Sequence, residues 1–137
     1  GADPGEVELC GYLSAVADGV GVTAPAGVSI AVDCDRVVVP SKTAIPVGLV
    51  VNELITNAVK HAFPERAAGT ITVAFAESDG AARLTVADDG PGIAHTDYTD
   101  PDAFGWNIVN ALVDQLGGTV SIEVDGGTRV TVVFPRS

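Results

Sequence analysis

Glu53-Leu54-Ile55-Thr56-Asn57-Ala58-Val59-Lys60-His61-Ala62-Phe63 is the stretch on which the reading of this chain turns. It lies in a helical pattern from about Thr43 to Ala62. Thr43 is the expected N-cap, which places Pro46 among the first residues, whose N–H groups lack an intrahelical partner. Pro64 ends the helix. At 100° per residue Val51, Leu54, Ile55, Ala58 and Ala62 gather on one side as a core face. Glu53, Asn57 and Lys60 gather on the opposite side, with His61 at the edge of their arc. A Glu can accept a proton or position a nucleophile. An Asn carbonyl is a hard oxygen suited to Mg²⁺, and a Lys neutralises phosphate as a point charge. Taken alone, the stripe fits a solvated helix face equally well.

Two further segments tilt the balance. Asp88-Asp89-Gly90-Pro91-Gly92-Ile93 follows directly on a strand. Its glycines allow a sharp turn and a close backbone approach to a flat ligand, and an Asp at a strand end can accept a hydrogen bond from an exocyclic amine. The string by itself is also compatible with an ordinary turn. The ligand spacing of an EF-hand is absent, as are a GxxxxGK[ST] loop and a GxGxxG fingerprint. Phe104-Gly105-Trp106-Asn107-Ile108-Val109 opens a second helix to about Leu116, whose free N–H groups suit phosphate oxygens; an ordinary helix start reads the same way.

Around these segments the chain reads as hairpins and helices. A first amphipathic helix spans about Gly5 to Val20. Val28 to Val32 and Arg36 to Val39 are expected to pair as a hairpin through an Asp-Cys-Asp turn. Gly69 to Ala76 and Ala81 to Ala87 form a second hairpin, turned at Ser78-Asp79-Gly80. Thr119 to Glu123 and Arg129 to Phe134 form a third, turned at Asp125-Gly126-Gly127. Gly117-Gly118 closes the second motif-bearing helix. The expected class is α+β: a two-layer sandwich, its mixed sheet built mainly from hairpins with helices on one face.

In order, these elements resemble the GHKL superfamily of DNA gyrase, the heat-shock chaperone, histidine kinases and the mismatch-repair ATPase, with its Bergerat ATP-binding fold. Residues 53 to 63 look like the N box, Asp88 to Ile93 like the first glycine box, and Phe104 to Val109 like the second. The family ending Gly-Gly-Thr-Arg-Val-Thr-Val-x-Phe-Pro is matched by residues 126 to 135. Within the superfamily the chain resembles the catalytic and ATP-binding domain of bacterial sensor histidine kinases whose N box reads ELxTNAxKHAF, and the similarity covers nearly the whole chain. The resemblance implies that Asn57 coordinates Mg²⁺, Asp88 bonds the adenine amino group, and Gly90, Gly92 and Ile93 belong to the adenine pocket. Lys60 approaches the phosphates and Gly105 lies by them. Glu53 stands where the gyrase-like ATPases keep their catalytic base, so Glu53 and Lys60 are the expected catalytic pair. His61 reaches phosphate or ribose oxygens or serves as a structural imidazole. Either Thr128 or Thr131 contacts adenine.

The chain departs from the second glycine box, where Ala103 stands at the first glycine or serine position and Trp106 at an expected Leu. Losing a glycine there raises the steric cost of a tight phosphate contact. Trp106 either packs as core or covers the site. The Ala94 to Ala103 lid is short, and its acids read as a solvated loop.

Composition sets the outer bounds. The 137 residues fit one domain with a real core, 47% hydrophobic and 18% charged. With aromatics at 5%, that core is built from Val, Ala, Leu and Ile. A net charge of −11 argues against a nucleic-acid partner. Cys10 and Cys34 have no CxxC spacing and leave room for one chance bridge, but read first as reduced structural thiols of a cytoplasmic domain. The longest apolar run, Ala44 to Val51, is far short of a bilayer span, so no direct membrane contact is expected.

The resemblance therefore implies an Mg-ATP-binding catalytic domain, residues 1–137, that donates the γ-phosphoryl to a histidine on a separate dimerisation domain. No acceptor histidine is recognisable in the chain, so the fragment is expected to be mainly monomeric and at most a weak ATPase. Its partners would be that upstream domain and a response regulator. Two other readings are an anti-sigma-factor-like serine kinase, whose N box usually lacks the Lys-His-Ala-Phe pattern, and a non-catalytic module that keeps the fold for protein binding.

Overall fold

The computed structural model describes residues 5–24, 26–59, 68–90, 106–124 and 126–135. The chain enters through a short strand, β1 (Glu6–Glu8), and only then the first helix, α1 (Leu9–Gly21). The helix starts later than its apolar spacing suggests because Glu8 caps it. The Glu8 carboxylate accepts from the N–H of Cys10 at 2.7 Å and of Gly11 at 3.2 Å, which satisfies donors that a helix start leaves orphaned.

After α1 come β2 (Val28–Cys34) and β3 (Val38–Pro40). The expected hairpin between them does not form. β3 pairs antiparallel with β1, Val7 opposite Val39, while β2 runs parallel to β4 (Gly69–Ser78), Val28 opposite Gly69. The turn residues and alternation favour two strands, but they do not say which strand is the neighbour. β1 and β4 provide the unpaired edges, so the chain divides at Asp35 instead of folding back.

The next helix, α2 (Ser41–Asn57), begins two residues before the expected cap. Pro40 occupies the N-cap without a side-chain cap bond, Thr43 lies inside the first turn, and Pro46 lies inside the helix. The hairpin of β4 and β5 (Ala81–Asp88) matches expectation, turned by Asp79 and Gly80, both at positive φ (53° and 79°). The last helix is α3 (Trp106–Gln115). Its end is a Schellman motif: Gly117, at φ 73°, donates its N–H to Asp114, and Gly118 donates to Val113 at 3.0 Å. β6 (Thr119–Val124) and β7 (Thr128–Pro135) complete the sheet.

The main sheet has five strands in the order β2-β4-β5-β7-β6, mixed because only β2 and β4 are parallel. Alternation along the strands sends Ile71, Val73, Phe75, Ala82, Leu84, Val86, Val130, Val132 and Phe134 into one buried face. The three helices cover that face with Leu9, Leu13, Val47, Val50, Val51, Ile55, Val109 and Val113. This is the expected two-layer α+β arrangement. Trp106 is 8% exposed and belongs to the core cluster, so of its two sequence readings the structure selects packing.

Cys10 and Cys34 are bonded as a disulfide, with Cα atoms 5.8 Å apart. This corrects the expectation of reduced thiols. α1 packs on β2, and that brings the second residue of the helix against the last residue of the strand, a juxtaposition that a spacing of 24 residues does not announce. Among the described residues no helix is long and apolar enough to cross a membrane.

Candidate functional site

The site forms where β5 and β7 end side by side. Asp88 is the last residue of β5 and lies opposite Thr128, the first of β7. Both are in phase with the inward residues Val86 and Val130, so both side chains belong to the helix-covered side of the sheet. The Asp88 carboxylate accepts hydrogen bonds from the N–H of Gly90 at 3.1 Å and from the N–H of Thr128. Burial pushes this carboxyl above the usual carboxylate range. The Gly90 and Thr128 donors pull it part of the way back, and the adjacent Asp89 charge adds to the upward push.

Asp89 has a different task. Its carboxylate accepts from the N–H of Thr70 at 2.7 Å, and its own N–H donates to the Thr70 carbonyl at 3.2 Å. These two bonds tie the start of the glycine loop to the start of β4. Asp88 is thereby held at the strand end.

Two features make the place a candidate ligand site. The Thr128 hydroxyl is buried and, among the described residues, has no hydrogen-bond partner. An orphaned hydroxyl costs about 1–3 kcal/mol unless something else fills the role. The second feature is Gly127, at φ 145°. A Cβ there would collide with the backbone carbonyl of Asp88, so only glycine lets this turn close onto the strand end. A cavity of about 160 Å³ opens beside them, lined by Ala87, Asp88, Glu123, Gly127, Thr128 and Arg129. A larger groove of about 490 Å³ runs between α1 and α2, past Tyr12, Val16 and Leu49, and includes none of these residues.

α2 contributes the other described residues. Asn57 is its last residue and is 5% exposed. Glu53, one turn earlier, is half-buried. The face that carries them is therefore not a solvated one, because α2 is covered by α1 and α3 as well as by the sheet. Among the described residues no group of three or more His, Cys, Asp or Glu side chains stands ready to hold a metal ion. Mg²⁺ fits this setting: it keeps several waters and is usually bound through one or two protein oxygens plus substrate phosphates, and the Asn57 carbonyl is such an oxygen.

The two threonines separate cleanly. Thr131 is three residues along β7 from Thr128 and so projects from the opposite face, in register with Thr85 and Ser121. The structure brings Thr128 to Asp88 and does not bring Thr131 there. Strand parity alone would have distinguished them. Lys60, His61, Gly92, Ile93 and Gly105 lie outside the described residues. Gly127 is the site residue that motif reading passed over, although its signal was present in the Gly126-Gly127-Thr128 turn. Asp89 is the other, and its bonds to Thr70 join segments 19 residues apart, which the local sequence does not announce.

Residues 43–137 match the family model described as histidine kinase-, DNA gyrase B- and HSP90-like ATPase. The chain belongs to that family. It is 35% identical over 135 residues to blue-light-activated histidine kinase 2 of Erythrobacter litoralis, covering 96% of this chain and 39% of the relative. An anti-sigma F factor of Geobacillus thermodenitrificans is 33% identical over 92 residues, or 59% of this chain and 62% of that protein. The solved histidine kinase domain of the Erythrobacter litoralis EL346 blue-light-activated kinase superposes with a TM-score of 0.86 at 33% identity, over 98% of this chain and 65% of that one. This GHKL chain thus spans less than two thirds of the length of these relatives.

Proposed function

We propose that the chain is the Mg-ATP-binding catalytic domain of a sensor histidine kinase, which passes the γ-phosphoryl group to a histidine on a separate dimerisation domain. The observation that carries this reading is the half-buried Asp88 carboxylate beside the Thr128 hydroxyl, which has no partner among the described residues, closed in by Gly127. An ionised carboxylate accepts and does not donate, which suits the exocyclic amine of adenine. The Thr128 hydroxyl supplies a donor or acceptor for a ring nitrogen or a bridging water.

On the helix side, Asn57 is the residue that would hold Mg²⁺, whose chemistry when bound is to neutralise charge on the triphosphate. Glu53 would position the acceptor or a water, and Lys60 would meet the phosphates. Gly90, Gly92 and Ile93 would frame the base, and His61 and Gly105 would lie toward the phosphates. With the donors fixed on packed elements, phosphoryl transfer would rest on positioning and charge neutralisation. Such a domain works where ATP is held, in the cytoplasm. Its partners would be the phosphoacceptor domain and a response regulator.

The test is a calorimetric titration with a non-hydrolysable ATP analogue, with and without Mg²⁺. Micromolar to sub-millimolar affinity that weakens without Mg²⁺ is expected, and Asn57→Ala should abolish the Mg²⁺ dependence. Absence of binding in the wild type would sink the reading.

The likeness to anti-sigma F factors supports a second reading, a serine kinase acting on a protein partner. The two differ in product chemistry. Phosphohistidine formed by the full-length protein is lost in acid, whereas phosphoserine on a partner survives it.

A further inference from the structure

The Cys10–Cys34 bridge plays no part in the nucleotide site, and its position needs a separate explanation. It joins the first turn of α1 to the end of β2, the edge strand of the main sheet. The Asp88 end of β5 pairs with Ile71 near the start of β4, while Cys34 pairs with Phe75 further along. The bridge is therefore remote from the adenine pocket. A chain of this size with a continuous apolar core does not require a covalent staple to fold. On the reading proposed above, the domain works in the compartment that holds ATP, where thiols are kept reduced and a bridge is usually transient or redox-sensing.

We infer that Cys10 and Cys34 form a reversible thiol–disulfide switch that clamps α1 onto the edge of the sheet. The Cα separation of 5.8 Å lies within the range a disulfide spans without backbone movement. Both residues are partly exposed, so a small thiol or disulfide reagent can reach them. The Glu8 carboxylate already occupies the N–H of Cys10 and of Gly11. The helix start is thus not left to activate the Cys10 thiol, and the pairing depends on proximity. The oxidant is a low-molecular-weight disulfide of the glutathione class. One protein thiolate attacks a sulfur of the reagent and releases one thiol. The second protein thiolate then displaces the other thiol from the mixed disulfide. One S–S bond forms and one breaks, and two electrons pass from the protein to the reagent with two thiols as product.

The clamp acts on what α1 supports. Tyr12 of α1 packs directly over Gly48 of α2, where any Cβ would strike its ring. α2 in turn carries Glu53 and Asn57. Opening the bridge leaves α1 held by the Glu8 cap, the Leu9 to Val37 backbone bond and apolar contacts, so its first turns loosen before the rest of the domain.

The test equilibrates the 137-residue chain in reduced or oxidised glutathione and counts thiols by mass after alkylation. Thermal melts and hydrogen exchange are recorded on the same samples. Two free thiols in the reduced buffer and none in the oxidised one are expected. The oxidised form should melt roughly 10 °C higher, with the extra exchange protection concentrated in α1. Cys34→Ser should melt like the reduced wild type in both buffers; if that variant does not fold, the wild-type comparison decides alone. A bridge that persists in excess reduced glutathione, thiols that never pair in oxidised glutathione, or two forms melting within about 2 °C of each other would each overturn the switch. Nucleotide affinity is measured in both forms. Its absence in both overturns the ATP reading, while the thiol count and the melts judge the switch.

Discussion

The two ends of this molecule are held together in different ways. Around Asp88 the structure depends on backbone: a glycine turn pressed onto a strand end, two Asp89 bonds to Thr70, and a hydroxyl without a partner among the described residues. Around α1 it depends on apolar side chains and a covalent bridge, with Leu9 and Leu13 fully buried. The family model begins at residue 43 and so includes the first region and leaves out the second. A ligand's shape restricts backbone tightly, because few residues can occupy a positive φ beside a carbonyl. A packed helix can be built from many apolar sequences. The contrast teaches that the recognisable part of this domain is the part where geometry leaves least choice.

The largest effect that contrast predicts is for Gly127→Val. The new side chain meets the Asp88 carbonyl at a backbone conformation that L residues rarely adopt. A loss of more than ~4 kcal/mol is expected, enough to unfold a marginal domain. Urea unfolding would measure it, and a variant within ~1 kcal/mol of wild type would break the claim that this turn demands glycine. Next is Leu13→Ala, expected to cost about 2–5 kcal/mol. A small value would mean that α1 is an accessory to the fold and not part of its core.

Asp88→Asn should leave stability near or slightly above wild type while lowering ATP-analogue affinity roughly 10- to 100-fold. The pH dependence carries the sign. Because burial raises the folded-state pKa of Asp88, the folded protein binds the proton more readily than the unfolded chain. The ionised carboxylate therefore costs stability above that raised pKa, and the cost is relieved as pH falls through it. Nucleotide affinity should move the other way and weaken over the same fall, as the acceptor becomes protonated. Parallel titrations of wild type and Asp88→Asn would isolate this group, since only the wild type should show the opposed trends.

The smallest effect is expected for Thr128→Val. Removing an unpartnered hydroxyl should stabilise the nucleotide-free protein by ~1 kcal/mol and weaken the analogue several-fold. A variant that loses stability without nucleotide would show that the hydroxyl has a structural bond.

Local chemistry and periodicity were enough for much of this protein. Alternating Val and Ile runs defined the β4–β5 and β6–β7 hairpins, Asp79-Gly80 and Gly126-Gly127 supplied the positive φ their turns require, and the boxes pointed to Asn57 and Asp88 as candidates. These features act within a few residues of themselves, so they can be read along the chain. Tertiary structure alone decided that β3 pairs with β1, that the Asn57 face of α2 is buried, that Trp106 is core, and that Cys10 meets Cys34. It also set Thr128 beside Asp88 and Thr131 beside Thr85 and Ser121, a placement that strand parity already held. A strand's pattern states that it needs a neighbour and a helix's pattern states that it needs cover. Which neighbour and which cover depend on segments tens of residues away, and that choice is made only when the whole chain packs.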